Sequence, residues 1–131
     1  MIGGGSIPQV QLTPANARLR VANGPASGRL FSLNKMRAVV GRGDPPIIVV
    51  DIDLGECELG TPPMVSRRHA ELQWVGGQLE LTDLGSANGT FVDGTQVRSQ
   101  SPRGPSNPVA LKPGSRVTFG NLELEVLLDE R

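Results

Sequence analysis

The chain has 131 residues, with 13 Lys plus Arg against 13 Asp plus Glu. That length favours one domain, and the balanced charge argues against a polybasic nucleic-acid binder or an acidic disordered tail. Hydrophobic residues at 37% suffice for a core; aromatics at 3% leave little for a base-stacking platform, and 17 Gly with 11 Pro exclude a helical bundle.

Residues 1–16, opening Met1-Ile2-Gly3-Gly4-Gly5-Ser6, have neither the basic nor the apolar region of a signal peptide and are expected to be a flexible arm. Arg18-Leu19-Arg20-Val21 alternates as a half-buried strand does, and Gly28 to Leu33 repeats the pattern. Ala38-Val39-Val40 runs into the break Gly41-Arg42-Gly43-Asp44-Pro45-Pro46. Ile47-Ile48-Val49-Val50 is rich in β-branched residues and bounded on both sides, which predicts a strand covered on both faces. Asp51 to Val65 carries Gly55, Gly60, Pro62 and Pro63 and reads as a loop, long enough to suggest a functional role.

The second half is more regular. His69 to Val75 and Gln78 to Leu84 alternate on either side of Gly76-Gly77, the strongest hairpin signal in the chain. Asp93-Gly94 predicts a second tight turn, between Thr90-Phe91-Val92 and Thr95-Gln96-Val97. Arg98 to Pro108 is loop-like; Arg116 to Phe119 and Leu122 to Leu127 are strands. Short strands at this spacing predict an all-β fold, a β-sandwich or a barrel.

Three polar turns each sit at the end of an apolar stretch: Gly41-Arg42, Ser66-Arg67-Arg68-His69 and Ser86-Ala87-Asn88-Gly89-Thr90. A phosphate on a peptide carries close to two charges and needs several converging donors. Arginine suits this because its planar fork donates two parallel hydrogen bonds. Serine adds a short hydroxyl, and turn N–H groups add partial positive charge. In order and separation these clusters, followed by Leu111-Lys112-Pro113-Gly114-Ser115-Arg116-Val117-Thr118-Phe119-Gly120, resemble the forkhead-associated (FHA) domain, a phosphothreonine-binding β-sandwich. The resemblance spans about Ala17 to Leu128 and implies a two-sheet antiparallel β-sandwich of about 10–11 short strands over residues 17–128, with the binding loops at one end and 129–131 as a tail.

The resemblance implies a phosphopeptide site formed by Arg42, Ser66, Arg67, Ala87 and Asn88, supported by Gly41, His69, Gly89 and Thr90. Arg42 and Ser66 are the implied phosphate ligands, and Asn88 is the implied partner of the peptide backbone. His69 would brace the loop from inside, and Gly89 would let its turn form. Two positions depart from the family pattern: Ala87 stands where many members carry Thr, and Asp93-Gly94 replaces a frequent Asn-Gly. The implied function is a non-catalytic module in Ser/Thr kinase signalling that docks a threonine-phosphorylated protein or peptide. No cofactor, nucleic acid or membrane partner is implied. A phosphate-independent interaction or self-association scaffold is the alternative.

Other readings of the same residues are weaker. Arg42 could pair with Asp44 or Asp53, and Asp51, Asp53, Glu56 and Glu58 could repel an acidic peptide. Cys57 reads as an incidental loop thiol and Trp74 as a core or half-buried residue. Ser66, His69 and Asp83 could be drawn as a triad, but the chain lacks the Gly-x-Ser-x-Gly elbow. Single Cys57 and single His69 preclude an internal disulfide and the multi-Cys or multi-His metal sites. With no apolar run of about 18 residues, the expected address is cytoplasmic. Thr13, on the N-terminal arm, is a candidate phosphorylation site that would dock in cis or in a neighbouring molecule.

Overall fold

A computed structural model describes residues 11–98 and 104–129. Its eleven described strands form two packed sheets. The first contains β1 (Ala17–Val21), β2 (Leu30–Ser32), β7 (Thr90–Val92), β8 (Thr95–Gln96), β10 (Arg116–Phe119) and β11 (Leu122–Leu128), in the order β2-β1-β11-β10-β7-β8. The second contains β3 (Arg37–Gly41), β4 (Ile52–Asp53), β5 (Ala70–Val75), β6 (Gln78–Asp83) and β9 (Val109–Leu111), in the order β4-β3-β5-β6-β9. All pairings between these strands are antiparallel except β3 with β4, which run parallel.

The alternation seen in the sequence becomes the two faces of each sheet. Leu19 and Val21 of β1, Phe119 of β10 and Leu122, Leu124 and Val126 of β11 point inward from one sheet. Val40, Leu72, Trp74, Leu79 and Leu81 meet them from the other. Trp74 is buried, and its indole N–H donates to the Leu33 carbonyl at 2.9 Å, so the large ring enters the core without an unpaired donor.

Two expectations fail in the first half. Ile47 to Val50 is not a covered strand: Asp44 and Ile48 exchange both backbone hydrogen bonds at 2.8 Å, closing a small hairpin that leaves Ile47 82% and Val49 77% exposed. The segment 51–65 is not simply a loop. Ile52–Asp53 adds a strand beside β3, a 3-10 turn follows at Gly55–Cys57, and Leu54 and Cys57 are wholly buried. Cys57 is therefore a small core residue, not a loop thiol. Strand β9 was not legible, because three residues after a Pro- and Ser-rich stretch carry too little pattern.

The strands sort the turns into two ends. Gly41, Ser66 to His69, Asp83 to Gly89 and Gly120 lie at one end. The Gly76–Gly77 turn lies at the other, about 17 Å away along six-residue strands. At that far end Ala17 pairs with Leu128, and Gln11 and Leu12 line a groove with Gly76 and Gly77. Residues 11–16 of the expected arm form a turn, in which the Asn16 side chain accepts from the Thr13 N–H at 2.7 Å and donates to the Gln11 carbonyl at 2.8 Å. Residues 1–10 of that arm lie outside the described residues.

Candidate functional site

Three turns meet at the first end, and backbone contacts fix their spacing. Gly41 ends β3 directly against the 66–67 backbone: a Cβ there would lie 2.1 Å from the Arg67 carbonyl oxygen. Only glycine permits that approach. It lets Arg42 N–H donate to the Ser66 carbonyl and Gly43 N–H to the Arg67 carbonyl, both at 3.1 Å. The Arg42 Nε donates to the Val65 carbonyl at 2.9 Å. One edge of the guanidinium is thereby fastened, and among the described residues no hydrogen bond or ion pair occupies its η nitrogens.

Ser66 is half-buried beside it. The Ser66 Oγ accepts from the Ala87 N–H at 3.1 Å, which leaves the hydroxyl hydrogen to donate elsewhere. Arg67 and Arg68 are exposed, and the Arg67 Nε stands 3.7 Å from an Asp44 carboxylate oxygen. The acidic partner of the cluster is thus Arg67's, not Arg42's. Of the four carboxylates read in the sequence as repelling an acidic peptide, three are engaged locally. Asp51 pairs with Lys35 at 2.8 Å, Asp53 accepts from the Gly55 N–H at 2.9 Å, and Glu58 accepts from the Met64 and Val65 N–H groups at 3.4 and 3.2 Å. The hydrogen bond from Lys35, with that from the Val39 N–H, holds Asp51 below the usual carboxylate range.

His69 ties the second turn to the third. Its Nδ1 accepts from the Ser66 N–H at 3.0 Å, so its Nε2 carries the proton and donates to the Gly89 carbonyl at 2.9 Å. The ring is wholly buried, edge-on to Phe119 with centroids 5.3 Å apart. Burial pushes the imidazole below its ordinary range, against the opposing pull of the Gly89 carbonyl and of the Asp83 and Glu58 charges. Because backbone groups occupy both ring nitrogens, His69 has no lone pair to take a proton from the Ser66 hydroxyl, and the triad drawing fails on geometry.

The third turn is organised by Asp83, which enters the sequence reading only as a triad member and not as a support of the site. Its Oδ1 accepts from the hydroxyls of Ser86 and Thr90, both at 2.6 Å, and its Oδ2 from the N–H groups of Gly85 and Ser86 at 2.9 and 3.0 Å. Burial alone would raise this carboxyl; the four hydrogen bonds outweigh burial and hold it below the usual range. The readable signal is an Asp two and three residues before Gly85 and Ser86, the spacing of a side-chain-capped turn. Ser86 Oγ in turn accepts from the Gly89 N–H at 3.0 Å. Gly89 adopts φ +88°, a conformation that glycine takes at no steric cost. Its carbonyl accepts from both His69 and the Gly120 N–H.

At the rim, Asn88 is exposed and its Nδ2 donates to the Met64 carbonyl at 3.0 Å. That bond orients the amide, and its Oδ1 and second N–H have no hydrogen-bond partner among the described residues. Ala87 contributes a backbone N–H and a methyl group. Arg42, Ser66, Arg67, Ala87 and Asn88 are thus gathered on one surface, while Gly41, His69, Gly89 and Thr90 lie buried beneath it. With its turn intact, Thr13 sits at the opposite end and does not reach Arg42 in cis. Among the described residues no group of three or more His, Cys, Asp or Glu is placed to hold a metal ion, and no helix is long and apolar enough to cross a membrane.

Comparison with known proteins finds relatives in both sequence and structure. The chain is 32% identical over 131 residues to the oxoglutarate dehydrogenase inhibitor of Corynebacterium efficiens, covering 97% of this chain and 79% of that protein. It is also 32% identical to the glycogen accumulation regulator GarA of Mycolicibacterium smegmatis, covering 94% of this chain and 66% of that one. Among solved structures, one from a structural and functional analysis of phosphothreonine-dependent FHA domain interactions superposes with a TM-score of 0.65 at 27% identity, covering 88% of this chain and 99% of that one. The FhaA FHA domain complexed with the intracellular domain of Rv3910 superposes with a TM-score of 0.61 at 29% identity, covering 84% and 98%. The model of the FHA domain matches residues 38–120, from β3 through the Gly120 that closes onto Gly89, and the chain belongs to the FHA domain family.

Proposed function

We infer that this protein is a phosphothreonine-dependent peptide-binding module, acting in Ser/Thr kinase signalling without catalysing a reaction. The observation that carries the reading is the pairing of Arg42 and Ser66. The guanidinium is pinned by its Nε, with no hydrogen bond or ion pair at its η nitrogens among the described residues, beside a hydroxyl whose oxygen is already engaged and whose hydrogen is left to donate. Such a pair supplies directed donors to phosphate oxygens with little ordering cost on binding. Asn88, its amide held by the Met64 carbonyl, would pair with the peptide main chain, and Arg67 would add charge at the rim. The similar structure from an analysis of phosphothreonine-dependent FHA domain interactions supports the same reading. Membership of a kinase pathway follows from the ligand, since only a kinase makes it. A cytoplasmic address is part of the same proposal.

The test is titration of the protein against matched phosphothreonine, phosphoserine and unmodified peptide libraries. Phosphothreonine peptides are expected to bind selectively. Arg42→Ala should weaken a selected peptide by about 10- to 100-fold, the loss of charge-assisted hydrogen bonds worth about 1.5–3 kcal/mol. Far-ultraviolet circular dichroism should stay unchanged. Equal affinity for all three libraries would instead establish a phosphate-independent scaffold.

A further inference from the structure

The two most exposed large apolar side chains among the described residues, Ile47 at 82% and Val49 at 77%, share one hairpin tip. That tip is built, not frayed. Asp44 and Ile48 close it with two backbone hydrogen bonds of 2.8 Å, and Pro45 and Pro46 restrict its turn. Its base is continuous with the phosphate site. Gly43 N–H donates to the Arg67 carbonyl, the Asp44 carboxylate stands 3.7 Å from the Arg67 Nε, and Arg42 is only five residues before Ile47. Five residues of chain reach at most about 17 Å, the span of a short peptide. Isolated surface apolar residues are ordinary, but two together on a rigid turn beside a charged site are not.

We propose that the 44–50 hairpin is a specificity-determining contact, in which Ile47 and Val49 receive an apolar side chain of the same segment that presents its phosphothreonine to Arg42 and Ser66. The proposal rests on the phosphopeptide reading above and adds the partner's chemistry: a phosphothreonine with an apolar residue on the flank that runs past Arg67. A phosphate alone gives every phosphothreonine the same hydrogen bonds, so discrimination must come from contacts outside it. Burying apolar area on a preformed tip supplies such a contact without ordering a loop.

The experiment uses the full chain and an oriented library of 15-residue phosphothreonine peptides, with one flanking position at a time fixed as Leu, Ser, Asp or Lys. The wild type is expected to prefer Leu at one or more positions, and I47S/V49S to lose that preference by about tenfold while binding a four-residue phosphothreonine peptide as the wild type does. Identical flanking preferences in the two proteins would overturn the proposal and leave the phosphate site standing. Absence of phosphothreonine binding in the wild type would overturn both readings. Two further controls compare the wild type with I47S/V49S: sedimentation for self-association, and flotation with phosphatidylserine-containing vesicles. A dimer or a vesicle interaction abolished by the substitutions, with flanking preference unchanged, would assign the tip to that occupant and overturn the proposal.

Discussion

Ser66 shows how one side chain serves both the scaffold and the site. Its backbone N–H is held by His69, its carbonyl by Arg42 N–H, and its Oγ by Ala87 N–H, so the position of its hydroxyl hydrogen is the one freedom left. Asp44 works in the opposite sense. Its carboxylate offsets part of the Arg67 charge across 3.7 Å, and both side chains are about half exposed. An exposed ion pair of this kind is worth about 0.2–1 kcal/mol, and an arriving phosphate would meet Asp44 as a like charge. Asp44→Asn is therefore expected to tighten phosphothreonine-peptide binding by about two- to fivefold. Calorimetric titration at low and high salt checks this, because the gain should shrink as salt screens the charge.

Among the elements, the end of β3 carries the most constraint. Gly41→Ala would place a methyl carbon 2.1 Å from the Arg67 carbonyl oxygen, a backbone atom that cannot swing aside. Either β3 or the 66–69 turn must shift, and with it the two backbone hydrogen bonds that set Arg42 against Ser66. The expected result is a loss of about 1–3 kcal/mol in unfolding free energy together with weaker phosphopeptide binding. Chemical denaturation and titration of the same variant measure both. Gly41, Arg42, Ser66, Asn88 and Gly89 stand out in the sequence as polar turn residues at the ends of apolar runs, and the roles expected of them come from the resemblance to the FHA domain. Asp83 is legible there only as a triad member, because its actual role is four hydrogen bonds within its own turn, which no periodicity records. Ile47 to Val50 misled for the converse reason: apolar content signals burial only where another layer is present to cover it.

At the scale of the whole molecule, the single histidine couples site to core. His69 bridges two turns on one side and packs against Phe119 on the other, buried and below its ordinary titration range. The unfolded chain takes up a proton as pH falls through about 6.5, while the native histidine stays neutral to a lower pH. Its contribution to stability is thus complete above about 6.5 and is lost as pH falls from there towards the native value, at no more than about 1.4 kcal/mol per pH unit. Asp51 and Asp83, held low in the native state, add their own losses only below about pH 4. Urea unfolding between pH 7 and 5, followed by fluorescence of Trp74, the only tryptophan in the chain, should show a slope that His69→Gln flattens.

The pairing of Ala17 with Leu128 has a mechanical consequence. Both ends of the sandwich leave side by side at the pole away from Arg42, across hydrogen bonds that run perpendicular to the strands. A pull between those two ends would load that pairing in an unzipping sense, one hydrogen-bonded step after another. A pull between Arg42 and either terminus would load the long axis of the strands instead. The domain is therefore expected to resist force applied through its bound partner better than force applied across its own termini, a directional strength suited to a module that tethers one protein to another.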